Sequence, residues 1–285
     1  MYNVKRNSMP DNSLTNRPVA LVKTRPEPRG LLERGIERGL YRVDRRVPGD
    51  ESIAYLVEHF WTVRWSLDRP YLAETLPFPA VHAVIERGRS EIVGVMETKF
   101  SRTLTGTGAV LGIRFRPGGF RPFLDAPVRT ITNSRLDLAE LFGVEAAIIE
   151  ERICAIEDFD EATEVLCTFI RDLSPPRDPT IERASFAVEL VANNRDIVRV
   201  AQIEESMQMT SRALQRLFVE YVGVSPKWVI NRYRLHEASE ILAAGISDIA
   251  TIAHHLHYFD QAHFTKDFKA VVGLAPTEFA RRHAE

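Results

Sequence analysis

Residues 197–226, IVRVAQIEESMQMTSRALQRLFVEYVGVSP, and residues 246–276, ISDIATIAHHLHYFDQAHFTKDFKAVVGLAP, are two unequal copies of one pattern. Leu214 matches Phe264, Phe218 matches Phe268, Gly223 matches Gly273 and Pro226 matches Pro276. A repeat of this kind fixes the architecture around it. Each copy has the plan of a helix-turn-helix, in which the second helix is free to lie in a DNA major groove.

In the first copy Thr210 is placed to cap a helix, because its hydroxyl can accept from the free N–H groups of the first turn. The spacing then puts Leu214, Leu217, Phe218 and Tyr221 on one side and Arg212, Gln215 and Arg216 on the other, with Gly223 as the stop. Arginine offers a two-pronged donor to guanine, and glutamine pairs similarly with adenine. The second copy repeats the design. Asp260 caps, Phe264, Phe268 and Val271 pack inward, Gln261, Thr265 and Lys266 face out, and His263 is expected to be a half-buried spacer. Ser225 and Pro226 start a connecting helix that should bury Trp228, Leu235, Ala238, Ile241 and Leu242. At a rise of ~1.5 Å per residue its roughly 18 residues span about 27 Å, near the roughly 34 Å between successive major-groove faces.

The rest of the chain is read outward from this pair. SPPRDP, residues 174–179, cannot continue a helix and marks a linker. Before it, LDLAELFGV, AAIIEERICAI and EATEVLCTFIRDL space their apolar residues as amphipathic helices do. Earlier still come short strand-like runs. IAYLVEHFWTVRW (53–65) reads as one or two strands, AVHAVIE and EIVGVME as a hairpin around Gly88, and AVLGIRFRPGGF (109–120) as a strand entering a Pro-Gly-Gly turn. The fold class is therefore α+β. Residues 1–30 are a disordered lead-in, 31–173 a β-rich barrel or sandwich with trailing helices, and 180–285 an all-α domain of two helix-turn-helix units joined by a long helix.

Composition agrees with a soluble protein of two domains: 285 residues, 45% hydrophobic and 27% charged. No apolar run approaches the roughly 20 residues of a membrane helix, so no membrane partner is expected, and no secretory signal opens the chain. The expected compartment is a reducing cytoplasm, with Cys154 and Cys167 as small buried hydrophobes. The net charge is −2, and residues 174–285 hold 13 Lys and Arg against 14 Asp and Glu. Attraction to phosphate must therefore come from where the charges lie.

The quoted repeats, with SRALQRLF (211–218), GVSP (223–226), RLHEASEIL (234–242), FDQAHFTKDFK (259–269) and GLAPTEF (273–279), resemble the C-terminal DNA-binding domain of the AraC/XylS family of bacterial transcription regulators. The resemblance covers about 100 residues. It implies contacts to double-stranded DNA from Arg212, Gln215 and Arg216 in one groove segment and Gln261, Thr265 and Lys266 in the next. The chain departs from the family pattern at Glu204, where a small alanine is usual, at Gln208 and His257, where glycine is common, and at Lys266, which replaces an arginine. FRPGGFRPFL (115–124) is similar to the sensory or dimerisation domain of a subset of these regulators. In the wider family such domains are often cupin-like barrels. A small-molecule effector, RNA polymerase and a second copy of the chain are thus the further candidate partners.

No enzyme is expected. A metal site in the front domain would have to combine His59 and His82 with Glu58 or Glu86, and side chains of the His254, His255, His257 group diverge on a helix. No nucleophile motif or phosphate-binding loop is present, so neither a catalytic residue, nor a cofactor, nor a metal is assigned. Phe60, Trp61, Trp65, Tyr71 and Phe78 are read as core packing ahead of a ligand pocket, while Arg114 and Arg116 are open between an anion site and solvent. Two rival functions remain: a protein-binding module whose helical domain does not touch DNA, and an enzyme with an appended DNA domain.

Overall fold

The computed structural model describes residues 22–23, 32, 39–173, 175–246 and 248–284. The expected lead-in, 1–30, lies outside the described residues except for β1 (Val22–Lys23), which pairs with Val47 and Arg46. Then follow β2 (Tyr41–Val47), α1 (Glu51–Ala54), β3 (Val57–Thr75), β4 (His82–Ile85), β5 (Glu91–Val93), β6 (Phe100–Phe115) and β7 (Arg135–Asp137). All described strands form one antiparallel sheet, in the order β1-β2-β3-β6-β4-β5-β7. Of the barrel and sandwich alternatives, a sandwich would need two sheets.

One sequence expectation needs correcting. Ile53 and Ala54 open no strand; they sit in the single turn of α1, which Asp50 caps by accepting from the Ser52 N–H. The strand that follows is one element of 19 residues, paired along β6 with an irregularity between Leu67 and Tyr71. Pro70 lies in that gap, and having no N–H it cannot extend the ladder.

Strand alternation gives the sheet two apolar faces. Phe60, Ala83, Ile85, Leu111 and Ile113 face α3 (Val144–Ala155) and α4 (Phe159–Asp172), which follow the short α2 (Leu138–Phe142). Tyr41, Trp65, Val84, Val93 and Val110 make a second core on the other face. There Trp61 lies against Gly112 and Trp65 against Gly108, so closely that a β-carbon on either glycine would fall inside the indole. On this face the space above the two glycines is filled by tryptophan.

The helical domain comprises α5 (Pro179–Asn193), α6 (Val200–Met207), α7 (Ser211–Leu217), α8 (Pro226–Ala243), α9 (Ile249–His255), α10 (Gln261–Val272) and α11 (Pro276–Ala284). The main core does not stop at residues 174–179. It runs from Ile53 in the front domain through Ile181, Leu214 and Phe218 to Ile230, joining the first helix-turn-helix unit to the sheet. The second unit has its own core around Phe264, Phe268 and Phe279, and Leu32 and Leu76 of the front domain join it.

Candidate nucleic-acid interface

In the first unit α6 ends on Gln208, whose backbone is left-handed (φ 52°). Thr210 then accepts from the Ala213 N–H and starts α7, which continues as a π-helical turn over Phe218–Val222. The two segments give a second helix of 12 residues, the same length as α10. In the second unit α9 leads to His257 (φ 56°), and Asp260 caps α10 by accepting from the His263 N–H at 2.7 Å. Gly223 and Gly273 end the two helices with φ near 88° and 86°. Leu214, Leu217 and Phe218, and opposite them Phe264 and Phe268, are buried.

The outward faces carry the residues singled out by spacing. Arg212, Gln215 and Arg216 are exposed, as are Gln261 and Lys266, and Thr265 is half-buried. His263 is a correction: it is exposed rather than half-buried, 3.5 Å from Asp267 and edge-on to Tyr258. Ala262 beside it is exposed as well, so the first turn of α10 is open on three successive residues. Sequence reasoning also passed over Phe259. Counting from each left-handed residue to its cap would have found it, since Gln208 to Thr210 is two steps and His257 to Asp260 is three.

The connecting helix α8 is 18 residues long and starts as expected, with Ser225 accepting from the Trp228 N–H. Trp228 and Ile241, expected to be buried, are half-buried. The Trp228 ring covers the guanidinium of Arg232, whose carbon lies 4.5 Å from the ring centre. Arg232 is 2% exposed and donates to the Glu97 carbonyl of the front domain at 2.5 Å. Burial pushes its pKa down to about 10, which still leaves it charged at neutral pH. Arg234 reaches the other way, donating to the Leu256 carbonyl and lying 3.9 Å from the Tyr258 ring. Two of the domain's cations are thus spent on packing, whereas Arg212, Arg216, Lys266 and Lys269 are exposed.

The front domain grips the first unit and the connecting helix. The Gly223 carbonyl accepts from Thr132 Oγ1 at 2.7 Å and from Arg129 at 3.2 Å, and Arg121 pairs with Glu220. On α8, His236 stacks on Phe78 at 4.2 Å. Within the RPGGF turn, Gly118 has φ 89°, and Gly119 presses on the Leu56 carbonyl where a β-carbon would sit 2.1 Å away. The turn's Pro117 carbonyl accepts from Ser185 of α5, so this motif is a docking element.

Arg114 and Arg116 form neither an open anion site nor a solvated pair. Arg114 pairs with Glu58 at 3.0 Å and lies 4.1 Å from the centre of the Phe78 ring, while Arg116 pairs with Glu189 and donates to the Ala54 carbonyl. Burial would raise the Glu58 carboxyl, but Arg114 and His59 overcome it and hold it at about 2. Burial, with Arg114 adding to it, pushes His82 down to about 3. Trp61 Nε1 can only donate, so its 3.3 Å bond to His82 Nδ1 places the imidazole proton on Nε2. Glu86 is taken up by Arg102. His255 faces Glu237, with His254 and His257 exposed. Among the described residues no group of three or more His, Cys, Asp or Glu is arranged to hold a metal. Cys167 is buried, but Cys154, expected to be so, is half-buried. No helix among the described residues is long and apolar enough to cross a membrane.

Two capped helices behind left-handed turns, facing outward from one connecting helix, define a double helix-turn-helix protein with a β-rich front domain. Residues 203–282 match the model of a helix-turn-helix domain, and residues 45–137 that of a domain of unknown function (DUF6597). The chain is 29% identical over 109 residues to the arabinose operon regulatory protein of Escherichia coli K12, covering 38% of this chain and 36% of that one. It is 30% identical over 84 residues to the transcriptional activator RhaS of Pectobacterium carotovorum, 30% of each. The chain thus spans about a third of the length of the curated relatives it matches. Among solved structures, ToxT of Vibrio cholerae aligns with 85% of this chain and 98% of its own at 14% identity, with a TM-score of 0.39. The C-terminal domain is a helix-turn-helix domain, and it is this part of the chain that is similar to those regulators.

Proposed function

We propose that the protein is a sequence-specific DNA-binding transcription regulator that reads two consecutive major-groove segments with α7 and α10. The observation that carries this is the pairing of two helices of equal length, each capped, each buried by aromatic or leucine side chains on one side and polar on the other. Arg212, Gln215 and Arg216 read the first segment, and Gln261, Thr265 and Lys266 the second. The protein acts in the cytoplasm on double-stranded DNA. A small-molecule effector, a second copy of the chain or RNA polymerase acts through the front domain, whose grip on Gly223 and on α8 ties its state to the spacing of the two helices. It has no catalytic role.

The test is selection of bound sequences from a random duplex pool at two salt concentrations. The full chain is needed, because Arg232 and His236 are buried against the front domain. The expected result is a motif of two elements about one helical turn apart, bound more weakly as salt rises. Arg216→Ala should cost about 1–3 kcal/mol on that motif and relax its preference at one position. An unenriched pool at both salt concentrations would mean that the helical domain serves protein contact instead.

A further inference from the structure

Phe259 stands out among the described apolar side chains: it is 94% exposed, against 72% for the next of them, Val144. An aromatic ring left in water forgoes the burial that stabilises every other phenylalanine of this domain's core. Its position explains why packing has not claimed it. Phe259 immediately precedes the N-cap Asp260, where an apolar side chain ordinarily folds back onto the fourth residue of the helix, here Phe264. In the first unit Met209 holds the equivalent place before Thr210 and packs into the core that contains Leu214. The second unit carries one more residue in its turn, and Tyr258 has taken over that role: it is buried, with its ring 5.2 Å from Phe264. The extra residue is thereby turned outward, at the end of α10 where Gln261, Ala262 and His263 are all exposed.

We infer that Phe259 is a specificity-determining residue that makes apolar contact with a thymine methyl in the groove segment read by α10. This rests on the DNA-reading function proposed above. The N-terminal end of the second helix of a helix-turn-helix meets base edges, and the thymine 5-methyl is the one apolar group that the major groove presents. A ring projecting ahead of the cap adds apolar reach to a face on which the small Ala262 stands among Gln261, His263 and Lys266. Arg216 and its neighbours on α7 have no such companion, since the corresponding turn is one residue shorter.

The experiment measures affinity of the full chain for its selected duplex, replacing each thymine in turn by deoxyuridine, which deletes only the methyl. Phe259→Ala and Phe259→Leu are measured on the same set, with thermal unfolding as the check that so exposed a substitution leaves the fold intact. At one thymine of the α10 element, loss of the methyl should weaken the wild-type protein about 4-fold and the alanine variant not at all. On the unsubstituted duplex the alanine variant should bind roughly 10-fold more weakly, with leucine in between. A selected motif on which Phe259→Ala binds as the wild type does, or loses as much as it at every deoxyuridine, overturns the inference and leaves DNA reading standing. A chain that enriches no sequence overturns both.

Discussion

The left-handed turns at Gln208 and His257 show how a single residue records its surroundings. A side chain with a β-carbon costs about 1–2 kcal/mol in that conformation, and glycine there is nearly free of it. Glycine also loosens the unfolded chain by about 0.4–1 kcal/mol, which offsets part of the gain. Both side chains are exposed, so their removal sacrifices little packing. Gln208→Gly and His257→Gly should each stabilise the protein by about 0.5–1 kcal/mol, seen as a higher urea midpoint at unchanged slope. A destabilised variant would show that the native side chain itself holds the turn. These two positions were legible because they sit inside a repeat, as were the caps Thr210, Ser225 and Asp260, whose partners lie within three residues. Arg114 and Arg116 were not. The partners that decide their roles, Glu58 and Glu189, lie 56 and 73 positions away in the sequence, and alternation along a strand says nothing about them.

Helix ends are legible in the sequence by their chemistry, but what those ends touch is not. Gly223 and Gly273 close equivalent helices with equivalent backbone angles, and from sequence they are interchangeable. Their environments differ. A β-carbon at Gly223 would stand 3.0 Å from Thr132 Oγ1 and from Val128, both fixed in the front domain, and that threonine already donates to the Gly223 carbonyl. At Gly273 the near atoms are the end of the Lys99 side chain, which can swing away. Alanine at either site bears the same conformational penalty of about 1 kcal/mol. Gly223→Ala should therefore destabilise by at least about 1 kcal/mol more than Gly273→Ala, the excess being the cost of crowding a packed contact. Equal losses in urea unfolding would mean that the contact between Gly223 and the front domain yields freely. In the front domain Ile53, Ala54 and Tyr55 suit strand and helix alike, and the Asp50 cap starts the helical turn of α1 there.

The core of the molecule passes from the sheet into the first helix-turn-helix unit, across the boundary that Pro175, Pro176 and Pro179 mark in the sequence. The bonds that join them span 91 residues at Thr132 and Gly223 and 135 at Glu97 and Arg232, beyond the reach of periodicity or spacing. A perturbation in the front domain should then reach α8, and His82 supplies one that acid alone can apply. Its imidazole is neutral in the folded protein down to about pH 3, whereas the unfolded chain takes up a proton near 6.5. Below 6.5 the unfolded state binds more protons than the folded one, so stability falls as pH falls, and the window closes near 3. Well inside it the slope from this one group approaches about 1.4 kcal/mol per pH unit. Glu58 adds to the same direction lower down, since its carboxylate is held at about 2 against 4.5 in the unfolded chain. His82→Gln should flatten the stability profile between pH 6 and 5, a range set by the roughly 6.5 at which the unfolded histidine titrates. The protection factors of amides in β4 and in α8, each exchange rate being referred to its intrinsic rate at that pH, should fall together in the wild-type protein as the pH drops over that range and fall less in the variant. Protection that falls at β4 while α8 keeps its own would mean that the two domains unfold independently, and that the shared core does not carry a change in the front domain to the helix joining the two reading heads.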